Sequence, residues 1–224
     1  MREKNLKKLV GKGFQVSQSL PLPKQRKTIG KRLRPLKEIG QRLMSLDALF
    51  IWVSERPEDV ASNRVEAYVN NNHLKSIMTK EERNILSTNR DKANKEYDSI
   101  MGWKLENMWV LAWILGFKPA PKIDSGTITV EIAHKIFLDF LPGLEKSVND
   151  LLRNKKPKSK NEIIEMEDLY YCAHNAVVSA RLGYDTVPKG FDYNMKGEAI
   201  IQRRHALSWA ISPGISWDNI DLST

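Results

Sequence analysis

The chain has 224 residues, of which 41% are hydrophobic and 28% charged, a composition typical of a globular protein large enough to bury a core. Its longest strongly apolar run, Met108 to Phe117, is far shorter than the roughly 20 residues needed to span a bilayer, and no secretory hydrophobic region follows the N-terminus. The single cysteine, Cys172, excludes an internal disulfide framework and predicts a reducing, cytoplasmic compartment.

The net charge of +9 is concentrated at the N-terminus. Residues 1–34 contain eleven lysines or arginines and one acidic residue, whereas residues 35–224 contain 25 basic and 26 acidic residues. We therefore interpret residues 1–34 as a basic arm and 35–224 as a near-neutral domain. The arm has three possible roles: it binds the phosphates of nucleic acid or lipid, it lies across an acidic patch of its own domain, or it is a solvated tail. The candidates for nucleic-acid contact are Lys24, Arg26, Lys27, Lys31, Arg32 and Arg34.

Helix patterns dominate the first half of the chain. Apolar residues at helical spacing predict a short helix near residues 6–10 and an amphipathic helix over 36–55. Pro57 either ends that helix or starts the next one, which is expected to run to about Val69. Thr79 with Glu82 has the form of a capping box that starts a further helix.

The segment 91–117 predicts a central helix, because its second half is apolar on every side and must be buried. Gly116 is expected to close it. Tryptophans at helical spacing are usually core residues rather than ligand-stacking groups. The predicted core aromatics are Trp103, Trp109, Trp113 and Trp209.

Helices are also predicted over 130–140, 144–152, 160–182 and 198–211, the third starting at a cap formed by Ser159. The run 127–130 could form a short strand, but no segment nearby offers it a partner. With no repeat and no β alternation, the sequence predicts an all-α fold: a single compact multi-helix domain with a basic N-terminal arm and little or no β structure.

Several stretches then carry a family resemblance. Residues 102–106 with 111–116, residues 162–171, and residues 202–209 with 217–220 resemble motifs of the bacterial domain-of-unknown-function family 4272. The similarity covers most of the chain and implies a helical fold, but the family name carries no reaction. The sequence departs from the family pattern at Lys104, Cys172, Asn175, Gln202, Asn219 and Ser223. Because glutamine and asparagine cannot act as ionised bases, these departures favour structural ion pairs over a catalytic set.

One polar cluster is the best candidate for chemistry. Asp168 and His174 lie on the helix over 160–182, and Arg203 lies on a second helix that could face it. A histidine near a carboxylate and an arginine is the arrangement of an oriented general base with an anion site. The alternative is a structural polar core in which Asp168 and His174 are satisfied by Arg203, and Glu106 pairs with an arginine such as Arg203.

Other chemistry is disfavoured. No histidine or cysteine spacing matches a zinc site, and Cys172 has the surroundings of a packed small residue, so we expect neither a metal nor another cofactor.

Three functions remain open. The first is a non-enzymatic protein–protein interaction module that binds another bacterial protein, such as an immunity or accessory factor; this is an analogy with other small bacterial cytoplasmic proteins. The second is a nucleic-acid-associated protein that uses the arm. The third is an enzyme that uses Asp168, His174 and Arg203.

Overall fold

A computed structural model describes residues 1–26 and 32–224, and these residues form helices and loops without any strand. The prediction of an all-α fold is therefore confirmed. Within the described residues there are nine α-helices: α1 (Arg2–Val10), α2 (Leu36–Ser54), α3 (Ser62–Asn71), α4 (Lys80–Ser87), α5 (Arg90–Ile114), α6 (Val130–His134), α7 (Val148–Leu152), α8 (Lys160–Arg181) and α9 (Glu198–Ala210). None of these helices is both long and apolar enough to cross a membrane.

Shorter helical turns connect these elements. In the described part of the chain, three of them are 3₁₀ turns, at Pro23–Gln25, Leu74–Ser76 and Trp217–Asn219. Two are π-helical, at Lys135–Phe140 and Tyr193–Gly197.

The helices fall into two compact units, each assembled from separate parts of the chain. The first unit contains residues 1–34, 120–127 and 158–224, so the described residues of the predicted arm belong to it. Here α8 packs against both α1 and α9. Ser159 and Glu162 form the predicted capping box at the start of α8, and Gly183, with a φ of 94°, follows its end.

The second unit contains residues 35–119 and 128–157, and the packing of α2 on α5 is its main helix contact. The second half of α5, from Met108 to Ile114, is buried at every position, as its uniform hydrophobicity predicted, and the polar residues Glu106 and Asn107 just before it are buried too. Gly116 ends this region at a φ of 109°, and a side chain there would lie 2.7 Å from the carbonyl oxygen of Lys156. Only glycine fits this position.

The segment predicted as one helix over 130–140 is divided. It is α-helical only to His134 and π-helical from Lys135 to Phe140. Ile136 and Phe140, four residues apart on this turn, are buried. The short strand considered for 127–130 is absent; Thr129 instead caps α6 by accepting a hydrogen bond from the amide of Ile132.

The helix predicted over 144–152 is also shorter than expected, since α7 begins only at Val148. Leu141 precedes a proline and is extended, with a ψ of 145°. The helix restarts where Ser147 and Asp150 form a capping box.

Candidate functional site

Two adjacent carboxylates of α8, Glu167 and Asp168, are fully buried at the centre of a charge cluster in the first unit. Arg2 donates to Asp168 from Nε at 3.1 Å and from Nη2 at 2.8 Å, and Asn5 adds a hydrogen bond at 3.1 Å. Arg26 donates to Glu167 from both terminal nitrogens, at 2.8 and 2.5 Å. Three roles were considered for the basic arm. These contacts match the role in which the arm lies across acidic residues of its own domain.

A third arginine completes the cluster from α9. The Nε atom of Arg204 lies 3.8 Å from Glu167, and the guanidinium groups of Arg2, Arg26 and Arg204 lie 5.8, 4.2 and 4.7 Å from the ring centre of Tyr171. Three cations thus surround two carboxylates, and the electron-rich ring face offsets part of the remaining positive charge. The cluster joins the arm, α8 and α9.

His174 contacts Arg204 rather than the predicted Arg203. The Nη1 atom of Arg204 lies 2.6 Å from Nδ1 of His174. Because a guanidinium only donates hydrogen bonds, Nδ1 is the acceptor and the ring proton is on Nε2. Burial first, and then the charge of Arg204, lowers the pKa of His174 to about 3. The imidazole is therefore neutral, and its acceptor nitrogen is already occupied.

Arg203 is placed elsewhere on the same unit. Its Nη1 donates to the carbonyl of Lys122 at 2.8 Å and its Nη2 to the carbonyl of Gly126 at 2.6 Å, which fixes the loop over 120–127. The three candidate catalytic residues thus have separate partners in these contacts, since Asp168 binds Arg2 and His174 binds Arg204. The prediction named Arg203 as the partner of His174, whereas the structure places the next residue of α9, Arg204, against it.

The four residues predicted as a structural polar core, Glu106, Asp168, His174 and Arg203, are all buried. Glu106 accepts a hydrogen bond from the amide of Ile128 at 2.6 Å, which anchors the chain just before α6. The predicted pairing of Glu106 with Arg203 stays a prediction. Of the core aromatics, Trp109, Trp113 and Trp209 are buried, whereas Trp103 is partly exposed.

Two of the six nucleic-acid candidates are occupied by contacts within the first unit. Arg26 binds Glu167, and Arg34 donates to the carbonyls of Trp209 at 2.7 Å and Ser212 at 2.8 Å. Arg34 also stacks on the Trp209 ring, 4.1 Å from its centre. The other four are Lys24 and Arg32, which are exposed, and Lys27 and Lys31, which lie outside the described residues.

The thiol of Cys172 is fully buried, and burial raises its pKa to about 12. It is therefore protonated and inaccessible, which are the properties of a packed residue rather than a nucleophile. Within the described ranges, no three or more His, Cys, Asp or Glu side chains are grouped so as to hold a metal ion.

The second unit contains a groove of about 650 Å³ that the sequence analysis did not anticipate. We call it the Asp47 groove. Its apolar lining comes from α2, α5, α6 and the segments beside them: Phe50, Ile51, Val60, Leu105, Ile128, Val130, Ala133, Phe137, Leu138, Pro142 and Leu144. Its polar lining residues include Asp47, Glu55, Arg64, Thr129 and His134. An apolar cavity of this size with a few polar groups is the usual form of a binding site.

Asp47 is the buried polar group of this groove. Its side chain is only 4% exposed, and Tyr68 donates to its Oδ2 at 3.0 Å. Burial raises the pKa of Asp47 to about 7, although the hydrogen bond from Tyr68 lowers it. The second oxygen, Oδ1, has no hydrogen-bond partner among the described residues.

The π-helical turn forms one wall of the groove. It places Phe137 against Phe50 of α2, with ring centres 4.5 Å apart, and it turns Leu138 outward, where that side chain is 77% exposed. Val130, at the start of α6, is 65% exposed. Single π turns inside helices are frequent at functional sites.

A larger cavity of about 930 Å³ lies in the first unit, beside α1 and the start of α8. Its lining includes Lys24, Lys160, Arg2 and Arg26. Because Arg2 and Arg26 already bind the buried carboxylates of α8, this cavity offers a ligand few free charges.

The sequence contained a signal for the Asp47 groove. Asp47 interrupts an apolar run from Leu46 to Trp52, and its neighbours on the helix are buried. A carboxylate is rarely buried unless a hydrogen-bond donor or a cation pairs with it. The partner Tyr68 and the π turn have no comparable signal, because both depend on how the helices pack.

A family model described as "Domain of unknown function (DUF4272)" matches residues 1–220 of the chain. No curated protein and no solved structure matches it.

Proposed function

Because the chain belongs to the DUF4272 family, whose description names no activity, we propose from the geometry that the protein is a non-enzymatic interaction module that binds another protein through the Asp47 groove. The observation that carries the proposal is the apolar rim of this groove. Leu138 and Val130 are 77% and 65% exposed beside the half-buried rings of Phe50 and Phe137.

The rim favours a protein partner over a small molecule. A small ligand would be enclosed by the groove and would leave Leu138 and Val130 in water, whereas a protein surface would cover both. Arg64 and Glu55 also line the groove, so its lining combines apolar side chains with charged ones. Protein interfaces commonly have this anatomy, with an apolar core and a polar rim.

The alternatives have weaker support. An enzyme using Asp168, His174 and Arg203 would need these side chains around one substrate, and each has a separate protein partner. A nucleic-acid role for the arm would rest on its exposed basic residues, Lys24 and Arg32 among those described. It predicts binding that weakens steeply with salt.

We place the module in the bacterial cytoplasm, where an immunity or accessory factor would meet its partner. The lone, unpaired Cys172 supports a reducing compartment. Fractionation of cells that express the tagged chain tests this placement.

The experiment for the proposed function compares two equally exposed leucines. Leu138 lies at the Asp47 groove, and Leu182, which is 74% exposed, follows α8 in the first unit. We would capture partners of the wild-type chain, Leu138→Asp and Leu182→Asp from nuclease-treated cytosol of the source cells. The partner recovered would then be purified and its affinity for each variant measured by calorimetry.

We expect one stoichiometric protein that binds the wild-type chain and Leu182→Asp alike and binds Leu138→Asp at least about tenfold more weakly, since a charge at the centre of an apolar contact must be desolvated. Circular dichroism controls for folding, which an exposed substitution should leave intact. A partner that binds all three chains equally would place the interface elsewhere. Recovery of nucleic acid alone, without nuclease, would favour the arm instead.

A further inference from the structure

We infer that Asp47 is a cation-recognising anchor in the Asp47 groove, so that the partner presents a lysine or arginine among apolar residues. The inference rests on the proposed function and adds the chemistry of the bound segment. Its starting point is the carboxyl group itself, which lines the groove, is almost fully buried, and has one oxygen bonded to a donor among the described residues.

No cation of the described part of the chain pairs with this carboxylate. Arg64, the guanidinium at the groove, lies 3.0 Å from the carboxylate of Glu145, and no described cation lies within 4.0 Å of Asp47. A buried carboxylate without a cation is costly, and a cation supplied by a ligand would remove that cost. The protein therefore contributes the carboxylate of Asp47 and the hydrogen bond from Tyr68, and we expect the ligand to contribute the cation.

The lining suits the stem of a lysine or arginine. The half-buried side chains of Phe50, Ile51 and Phe137 form an apolar path beside Asp47. Long basic side chains bury their methylene groups against such surfaces while the charged end reaches a polar group. The faces of the Phe50 and Phe137 rings would add attraction for the cation.

The anchor makes binding depend on pH. Burial raises the pKa of Asp47 to about 7, and a bound cation would favour its ionised form. The other titratable or charged groups around the groove are Tyr68, whose pKa is raised well above its usual value, and Glu55, Arg64 and His134. Because His134 is a histidine at the same groove, the variant His134→Gln controls for its contribution.

Hexylamine is the probe for this site, with hexanol as a neutral control of the same chain length. Both are titrated into the full chain at pH 8, and binding is followed by the amide NMR signals of residues that line the groove. The variants are Asp47→Asn, which is close in shape and keeps an acceptor for Tyr68, and Glu55→Gln, which removes an exposed carboxylate of the same groove.

We expect the wild-type chain to bind hexylamine about tenfold more tightly than hexanol, because the hydrogen bond to Asp47 is charge-assisted. Asp47→Asn should bind the two probes equally, and Glu55→Gln should keep the preference. Between pH 8 and pH 5.5 the hexylamine affinity should fall about sevenfold, towards the hexanol level, as Asp47 becomes protonated, in the wild-type chain and in His134→Gln alike.

Each contrary result overturns the inference. Equal affinity for both probes in the wild-type chain means that the groove takes apolar ligands without recognising a cation. Absence of any groove signal means that the carboxyl is not accessible. A preference retained in Asp47→Asn means that another group binds the amine. The proposed function fails separately, when the captured partner ignores Leu138→Asp.

Discussion

The hydroxyl of Tyr68 donates to Oδ2 of Asp47 at 3.0 Å, and this is the only hydrogen bond that the side chain of buried Asp47 receives from the described residues. Burial outweighs it and raises the pKa of Asp47 to about 7, against about 3.9 in an unfolded chain. The folded state thus holds the proton more tightly than the unfolded state does. The contribution of Asp47 to stability is fully present below about pH 4 and is lost as the pH rises through 7.

Asp47→Asn should therefore stabilise the protein in alkaline solution. At pH 8 we expect a gain of about 4 kcal/mol in the free energy of unfolding, because the pKa of Asp47 differs by about three units between the two states, each unit corresponds to about 1.4 kcal/mol, and the amide is never ionised. At pH 4.5 the gain should be under about 1 kcal/mol, since Asp47 of the folded chain is protonated there and the carboxyl group of the unfolded chain is only just above its pKa. Urea unfolding at the two pH values measures it.

The control for this prediction is Glu55→Gln, an exposed carboxylate on the same groove, which should change stability by less than about 0.5 kcal/mol at either pH. A loss of stability in Asp47→Asn at pH 8 would show that the carboxylate has a stabilising partner.

Local sequence signals predicted most helices of this fold. The capping pairs Thr79–Glu82 and Ser159–Glu162 are both formed, and the uniformly apolar half of α5 is buried. These features depend on residues a few positions apart. The π turn at Lys135–Phe140 could not be read in this way, because it depends on packing against other helices.

The candidate site was less predictable for the same reason. The burial of Asp168 and His174 followed from their places on α8, but their partners depend on how distant segments pack. Arg2 is separated from Asp168 by 166 positions, and Arg204 rather than Arg203 reaches His174. A rotation of α9 by one residue decides between the two arginines, and the sequence pattern does not specify it.

His174→Gln should make the protein less sensitive to acid. Burial and then Arg204 lower the pKa of His174 to about 3, so the unfolded state binds a proton below about pH 6.5 and the folded state does not. The stability tied to neutral His174 is present above pH 6.5 and is lost as the pH falls towards 3. Between pH 7.5 and 4.5, the wild-type chain should lose about 2 to 3 kcal/mol more than the variant.

Urea unfolding at both pH values measures this difference, and the exposed His134→Gln serves as the control. The glutamine oxygen can still accept from Arg204 in place of Nδ1, so the variant tests protonation rather than loss of a hydrogen bond. Identical acid sensitivity in the wild-type chain and His174→Gln would mean that His174 is charged in the fold.

Glu82→Gln should destabilise the second unit strongly. Glu82 accepts from both terminal nitrogens of Arg42, at 2.5 and 2.8 Å, and Lys104 lies 3.1 Å away. Burial opposes its ionisation, but these cations outweigh burial and lower the pKa of Glu82 to about 2. Its contribution is present above about pH 4.5 and is lost as the pH falls through 2.

Without the carboxylate, the fully buried guanidinium of Arg42 keeps its charge and loses the charged partner to which both of its terminal nitrogens donate, so we expect a cost of about 3 kcal/mol at pH 7. Chemical denaturation measures it. The adjacent Glu81→Gln, on the exposed side of α4, should cost less than about 0.5 kcal/mol. Equal costs for the two variants would show that the buried pair contributes no more than surface charge.

Asp168→Asn should loosen α1 from α8. Asp168 is fully buried and binds Arg2 and Asn5, whereas Glu165, one turn away, forms an exposed pair with Lys4 at 2.7 Å. Removing the buried charge should cost about 2 kcal/mol and speed hydrogen exchange of the α1 amides by about 30-fold, because these amides exchange when α1 opens locally. Glu165→Gln should change the rates less than about threefold, as solvent screens surface pairs.

Faster exchange throughout the protein in Asp168→Asn would mean that the buried pair stabilises the global fold rather than the attachment of α1. Unchanged α1 rates would mean that apolar packing alone holds the helix in place.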